Sequence, residues 1–585
     1  MNLAEKLSDL IDKWDIVGLS VEIKKPEHEE WITNNAWDLI PVLVEPASEE
    51  NLQQCPQVVH TCSQILADYV AKFGNPKEII ISLLEQCEHS GSSVRFRHCL
   101  PALEISLLKL NLKVASKTWD WALRTVIDHI TALELPNLVE LEGDERLVFE
   151  HDQIYSDRLQ SCEEATNLLK SLAFKMQEFE NEKDDSGMLK SQLKGYIIWS
   201  CVQILGRPLS YFNVCETDKG NATTAKVICD QLISLLNQLC PDQIKLIDLQ
   251  DFCLYYNCPK VLDSDRDIWA VGMGNLFYCQ FSNIDPNFPL CYAPFHLFSV
   301  LLNSMIQMLN YHGDADATTP APYFRQEKSL YLCKTLLSRL HVNSIPADVL
   351  EMEEQSLLCS KLYQIIIYHG LQSVRKLAYE VYNQYFDVFG GNNPKALTML
   401  VKFSLEKANH SGLIGHAIGK LKNGILFYIR DPASYPPEKL CGTQLQSLVK
   451  RFCALKNGAE TDLLEVSDEI MASLNFLVCI LLRDRNNTLG LLEIVPQIEI
   501  DFLKPLNAGL AMSQAHYKLK LDESKNDSNN HDGADVSLMV GGKALPQMSQ
   551  HQMKEVVHSA LNTFSMMECV LCQLNDVISS KKAVK

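Results

Sequence analysis

Leu103, Leu107, Leu110 and Val114 fall on one helical face. After a break expected at residues 116–118, Leu123, Val126, Ile127 and Ile130 fall on a second. Apolar residues at three- and four-residue steps specify an amphipathic helix, and two such faces joined by a few residues specify an αα-hairpin. This period constrains the chain more than any other feature because it returns along its whole length. Helices are predicted over 227–239, 297–309, 329–340, 357–368, 374–389, 396–408 and 553–578. Alternating strand patterns are absent, and even "KEIIISLL" (77–84) extends into a helical face. The predicted fold class is therefore all-α. Helix pairs recur at loosely 40 residues, the HEAT or armadillo spacing, and such pairs bury their apolar faces only by stacking on neighbours. A HEAT/armadillo-like α-solenoid of helical hairpins is the expectation, with globular helical bundles as the alternative.

Interruptions suggest the organisation. "HGDADATTPAP" (312–322) is the expected boundary between a region 1–311 and a region 323–585. Charged connectors occupy 142–153 and 179–187, and a Pro-rich turn occupies 430–442. "DESKNDSNNHDGAD" (522–535) has almost no apolar residues and reads as a disordered loop.

Composition excludes some functions. The formal charge is -20, and because phosphate neutralisation needs basic patches, nucleic acid is not an expected partner. A basic or neutral protein suits an acidic chain better. The start has no basic segment followed by an apolar one, and the apolar run 476–482 is far short of the ~20 residues that span a bilayer. No membrane insertion is expected, and the expected location is cytoplasmic, with the nucleus also open. The 20 cysteines are scattered through helical segments and read as small buried hydrophobes.

Chemistry-bearing motifs are weak. Cys569 and Cys572 form a CxxC within an amphipathic helix, without a thioredoxin-like context or a second pair, so packing is the expected role. Cys253 and Cys258 have no His at ligand spacing. "GMG" (272–274) has Phe277 where a dinucleotide loop needs its third glycine. In "DSNNHDG" Asp532 and Leu538 occupy the positions where a calcium loop needs Gly and Glu. His410 and His416 are six apart, too far for helical metal ligands. No catalytic set, cofactor or metal site is predicted.

"GAETDLLEVSDEIMASLNFL" (458–477) reads as one helix. Leu463, Ile470, Leu474 and Leu477 make its apolar face, while Ser467, Asp468, Met471 and Asn475 make an outer face that a core does not need. "FLKPLNAGLAMSQAHY" (502–517) places Leu503, Leu506 and Leu510 inside and puts Pro505 in a first helical turn. It leaves Lys504, Met512, Gln514, His516 and Tyr517 for surface contact. Met and Tyr suit interfaces, being adaptable or amphipathic. These two strings, with "HSALNTF" (558–564), "NHSGL" (409–413) and "NPKE" (75–78), resemble in sequence and order the glomulin/Alf4/Yap-binding protein family. The second half is the closer match.

The resemblance implies HEAT-like repeats and no enzymatic activity. It implies inhibition of cullin-RING ubiquitin ligases: the carboxy-terminal half binds the RING-finger subunit, with its cullin, and masks the docking surface of the ubiquitin-conjugating enzyme. Immunophilins and a growth-factor receptor are further partners of the family. On this reading the partner-binding candidates are His410, Asp468, Met471, Asn475, Lys504, Met512, Gln514, His516 and Tyr517. Packing between repeats is the competing role, with Ser473 and Asn475 as fasteners. A non-inhibitory scaffold for signalling proteins is the alternative function.

Overall fold

A computed structural model describes residues 2–90, 92–137, 141, 145–181, 186–214, 222–263, 266–282, 292–310, 323–342, 345–390, 393–430, 443–526, 539–540, 543–544 and 550–583. The loop 312–322 lies outside them, as do 142–144, 182–185, 431–442 and 527–538. Two compact units divide the chain, Met1–Thr335 and Leu336–Lys585.

The longer helices of the first unit are α1 Leu3–Asp12, α2 Glu29–Val44, α3 Pro56–Ile65, α4 Pro76–Ser90, α5 Ser93–Leu108, α6 Leu112–Thr131, α7 Gln153–Asn181, α8 Gly187–Gly206, α9 Thr224–Leu239, α10 Arg266–Ser282 and α11 Pro294–Leu309, and the division falls near the end of α12 Tyr323–Ser338. Those of the second are α13 Glu353–Tyr368, α14 Gln372–Gly390, α15 Pro394–Lys407, α16 Ser411–Arg430, α17 Thr443–Phe452, α18 Ser467–Arg483, α19 Lys504–Asn526 and α20 Gln550–Ala583. The strands among the described residues are one minimal antiparallel pair, Met539–Val540 with Lys543–Ala544.

The fold is an all-α solenoid in which helices stack on near neighbours in sequence. In the first unit α4 packs on α5, α5 on α7, and α8 on α6 and α10. In the second α13 packs on α14, α15 on α16, α16 on α18, and α20 on both α18 and α19. Polar residues start many of these helices. Asn2 and Glu5 form a reciprocal capping box on α1, and the side chains of Ser92, Asn111, Thr223 and Asn393 accept the first free amides of α5, α6, α9 and α15.

Two features explain the packing. Gly206 and Gly272 let α8 and α10 touch backbone to backbone, since a methyl group on either would stand 2.2 Å from a carbonyl oxygen of the other helix. The glycines of "GMG" therefore serve a helix crossing: Gly274 sits against the Met308 sulfur in the same way. In the second unit Tyr363 and Tyr382 both meet the Ser404 hydroxyl, at 2.9 and 3.0 Å, and join α13, α14 and α15 through buried oxygens. Satisfied buried hydroxyls of this kind fix register as well as stability.

Several boundaries differ from expectation. The break predicted at 116–118 falls instead at Lys109–Asn111, because the Asn111 side chain accepts the Val114 amide and starts α6 there. The string 458–477 is not one helix. Gly458 has a left-handed φ of 56° and opens a 3-10 turn, and the Asp462 carboxylate accepts the Leu464 and Glu465 amides, so α18 begins only at Ser467. Helix α19 runs to Asn526, so the first residues of the expected loop 522–535 are helical and 527–535 lie outside the described residues.

Candidate protein-interaction surface

Four strings far apart in sequence meet in the second unit. The Ser411 hydroxyl accepts the Glu469 amide at 3.0 Å, which sets the N-termini of α16 and α18 side by side. A methyl on Gly415 would stand 2.9 Å from the Asp468 carbonyl oxygen, so the two helices are in backbone contact there. The 3-10 turn Gly458–Glu460 packs on α19, where a methyl on Gly509 would lie 2.9 Å from the Ala459 carbonyl oxygen and 3.5 Å from Leu463 Cδ1. Pro505 does not begin a helix. It follows Val495–Ile498 and the π-turn Glu499–Leu503 within one continuous helical run. Proline has no amide hydrogen to give the carbonyl four residues earlier. That carbonyl, of Asp501, accepts the Leu455 amide at 3.3 Å instead, tying the segment before Gly458 to the start of α19.

Helix α20 closes the assembly. Val557, Ala560, Phe564, Met567, Leu571, Leu574 and Ile578 are buried, in alternating steps of three and four. This is the narrow stripe of a helix seated between two others. Phe564 meets Tyr517 edge-on at 5.5 Å and the Gln514 amide donates to Glu568 at 3.0 Å, so α19 and α20 run antiparallel. Near its far end Lys581 donates to the Asp484 carbonyl at 3.2 Å and Lys582 pairs with Glu499 at 2.7 Å.

The predicted contact residues separate into three groups. His410, Asp468 and Asn475 are exposed and Met471 is half-buried. Asp468, Met471 and Asn475 share one stripe of α18, and a methyl on Gly412 would stand 3.3 Å from both Asp468 Oδ2 and His410 Cε1, so imidazole and carboxylate adjoin the same space. Lys504, Met512 and His516 are exposed on α19. Gln514 and Tyr517 belong largely to the α19–α20 seam. Tyr517 is half-buried between His516, Phe564 and Lys520, and burial pushes its phenol pKa up. Of the two expected fasteners Ser473 is one: its buried hydroxyl donates to the Phe452 carbonyl of α17 at 3.1 Å. Asn475 donates to Met471 of its own helix at 2.8 Å.

The sequence reading missed Leu519 on α19 and Met566 on α20, 64% and 60% exposed. Met566 is signalled by lying between Phe564 and Met567 without belonging to the buried stripe. The packing expected of Cys569 and Cys572 is also corrected. Both are exposed, because that stripe passes through Met567 and Leu571 and leaves them on the outer face. Cys253 and Cys258 are buried as expected. Burial pushes the His416 pKa below its ordinary value, and its ring nitrogen lies 3.0 Å from the Tyr379 hydroxyl. Among the described residues no cluster of three or more His, Cys, Asp or Glu is arranged to hold a metal, and no helix is long and apolar enough to cross a membrane.

Residues 324–557, which include all nine predicted contact residues, match the model of a family described as "Uncharacterised protein family, YAP/Alf4/glomulin". Human glomulin is 25% identical over 569 residues, covering 96% of this chain and 90% of its own. Over residues 324–557 the chain is similar to the YAP/Alf4/glomulin family. Mouse glomulin is 26% identical over 579 residues with the same coverage. The family match starts within α12 and ends early in α20, so it spans most of the unit in which the four strings meet.

Proposed function

We propose that this chain is a regulatory binding protein that inhibits cullin-RING ubiquitin ligases. In this reading the second unit binds the RING-finger subunit, with its cullin, and covers the surface on which the ubiquitin-conjugating enzyme docks. The observation that carries the reading is the convergence of the family-like strings on one helical body that leaves His410, Asp468, Met512 and His516 exposed around it. Inhibition by masking needs no acid, base or cofactor. It needs a stable surface that buries about 1,200–2,000 Å², and helices in backbone contact at Gly415 and Gly509 supply the stiffness. The proposed location is cytoplasmic, with access to the nucleus.

The test uses the full chain. It should capture a purified RING subunit–cullin complex and suppress ubiquitin chain formation in a reconstituted reaction, and added conjugating enzyme should compete with it. Undiminished ligase activity at saturating protein rejects the proposal. The second reading is a non-inhibitory scaffold, for immunophilins or a growth-factor receptor. Its support is the exposed apolar residues of the first unit, among them Trp14, Val17 and Trp37. Stable capture of such partners together with an unaffected ligase would favour it.

A further inference from the structure

We propose that the face formed by α1, the helix Ile16–Glu22 and the end of α2 docks a basic amphipathic helix of a partner protein, with one lysine or arginine of that helix seated in a cavity beside Trp14. The cavity holds roughly 270 Å³. Its apolar lining includes Ile11, Val42 and Val58, Trp14 forms a wall, and Asp12 and Glu45 also border it. Such a lining suits the two parts of a long basic side chain. The alkyl stem packs on aliphatic carbon and on the indole, while the cationic head meets carboxylates. Neither Asp12 nor Glu45 is in an ion pair among the described residues, and both are exposed.

The charge around the cavity selects the partner. Residues 1–55 carry twelve carboxylates against four lysines. Three of those lysines are already engaged, Lys6 and Lys25 by Glu22 and Lys13 by Asp9. The remaining field attracts cations and repels anionic lipid, nucleic acid or a second copy of this acidic chain.

An apolar ridge lies beside the charge. Val17 and Val21 are 73% and 59% exposed, and they continue from Trp14 at steps of three and four along one side of the helix Ile16–Glu22. Trp37 and Pro41 precede Glu45 at i−8 and i−4 on α2, and both are exposed. Trp14 itself holds a left-handed φ of 55°, a conformation that costs a bulky residue free energy and that persists where the indole is needed in place. Exposed apolar positions at helical spacing within an acidic field fit a helix with apolar residues at i, i+3 and i+4 and lysine or arginine beside them.

The test reads fluorescence anisotropy with the full chain and a labelled Leu/Lys amphipathic helix of about 18 residues. A Leu/Glu helix of the same spacing is the control. The Lys helix should bind and the Glu helix should not. Asp12→Asn with Glu45→Gln should weaken binding about tenfold, the scale of a partly desolvated cation–π contact with its carboxylates. Trp14→Asn, which tolerates the left-handed backbone, should do the same. Val17→Asp provides an exposed third variant. Glu353→Gln with Glu354→Gln, an equal change of charge on exposed residues of the second unit, should leave binding unchanged. Far-UV circular dichroism verifies that each variant is folded. Equal losses in the site and control variants, equal binding of the two helices, or a dimer in sedimentation that Trp14→Asn dissolves would each overturn the proposal. None of these readouts involves the ligase, so they stand or fall apart from the inhibition.

Discussion

Phe564→Ala tests whether α20 is integral to the second unit. Phe564 is 1% exposed within the seven-residue stripe and meets Tyr517 edge-on at 5.5 Å. Truncating a buried Phe to Ala costs about 3–5 kcal/mol, of which the aromatic pairing accounts for about 0.5–1.5. A second unit of this size shifts its melting temperature by roughly 2–4 °C per kcal/mol, so a fall of about 10 °C in that transition is expected. Exposed Met566→Ala, two residues away, should stay within about 0.5 kcal/mol of wild type. Hydrogen exchange locates the effect: α19 and α20 should lose protection together, while helices of the first unit keep theirs, because stability in stacked repeats is close to a sum of local terms. A double-mutant cycle with Tyr517→Ala should return a coupling of about 0.5–1.5 kcal/mol. If Phe564→Ala costs no more than Met566→Ala, α20 is not seated in the unit and the reasoning fails.

Gly509→Ala should destabilise the same unit by about 1–3 kcal/mol, since the new methyl meets a backbone oxygen that cannot rotate away; an unchanged melt would disprove the close approach. Glu150→Gln should change the pH dependence of the first unit. Burial raises the Glu150 carboxyl to about 7, against the weaker opposing effects of the Thr224 and Ala225 amides and Lys328. The folded state therefore binds more protons than the unfolded one between about 4.5 and 7. Stability from this group is full below that window and is lost as pH rises through it, so the Gln variant should gain on wild type between pH 5 and 8, and denaturant melts at both values measure it. Cys569 and Cys572 should take up a maleimide well before Cys453, whose thiol burial holds well above its ordinary pKa; mass spectrometry of timed samples reads the order, and early labelling of Cys453 would contradict the packing.

The helical architecture was legible because burial on one side writes a 3.6-residue period into the chain, and α13, α14 and α15 lie close to the ranges predicted from it. What escaped was decided by single polar groups or by tertiary contact. The Asp462 carboxylate takes two amides that an earlier start of α18 would have used, and the apolar period cannot reveal that competition. Pro505 looks like a helix start until the Leu455 amide is found on the carbonyl it leaves free. Cys569 and Cys572 share a helical face, but only the position of α18 and α19 determines that it is the outer one. The candidate surface was legible as strings and not as atoms, because exposed residues are weakly dictated by the backbone around them.

The matched strings contain two kinds of residue, and a last prediction separates them. Gly509, Ser473, Phe564, Gln514 and Tyr517 fasten one helix to the next through a close approach, a buried hydroxyl, an edge-on ring pair and an amide–carboxylate hydrogen bond. Their presence is explained by the fold alone. Met512 and His516 lie one helical turn apart on the exposed side of α19, next to Leu519, and His410 adjoins Asp468 over Gly412. His516 also touches the edge of the Tyr517 ring, but none of these exposed side chains is buried in the core. Apolar Met and Leu with a His on one open stripe are what a partner's core would cover. Met512→Asp with His516→Asp should therefore weaken capture of the RING subunit–cullin complex at least about tenfold, the loss expected when a charge is buried at an interface without a partner. The melting temperature should fall by no more than the small loss of the exposed His516–Tyr517 ring contact, since neither side chain is buried. Tyr517→Ala should lower both, because it opens the α19–α20 seam. If the double variant binds and inhibits like wild type, the contact lies elsewhere on the second unit, and the His410–Asp468 corner with the α18 stripe is the next surface to change.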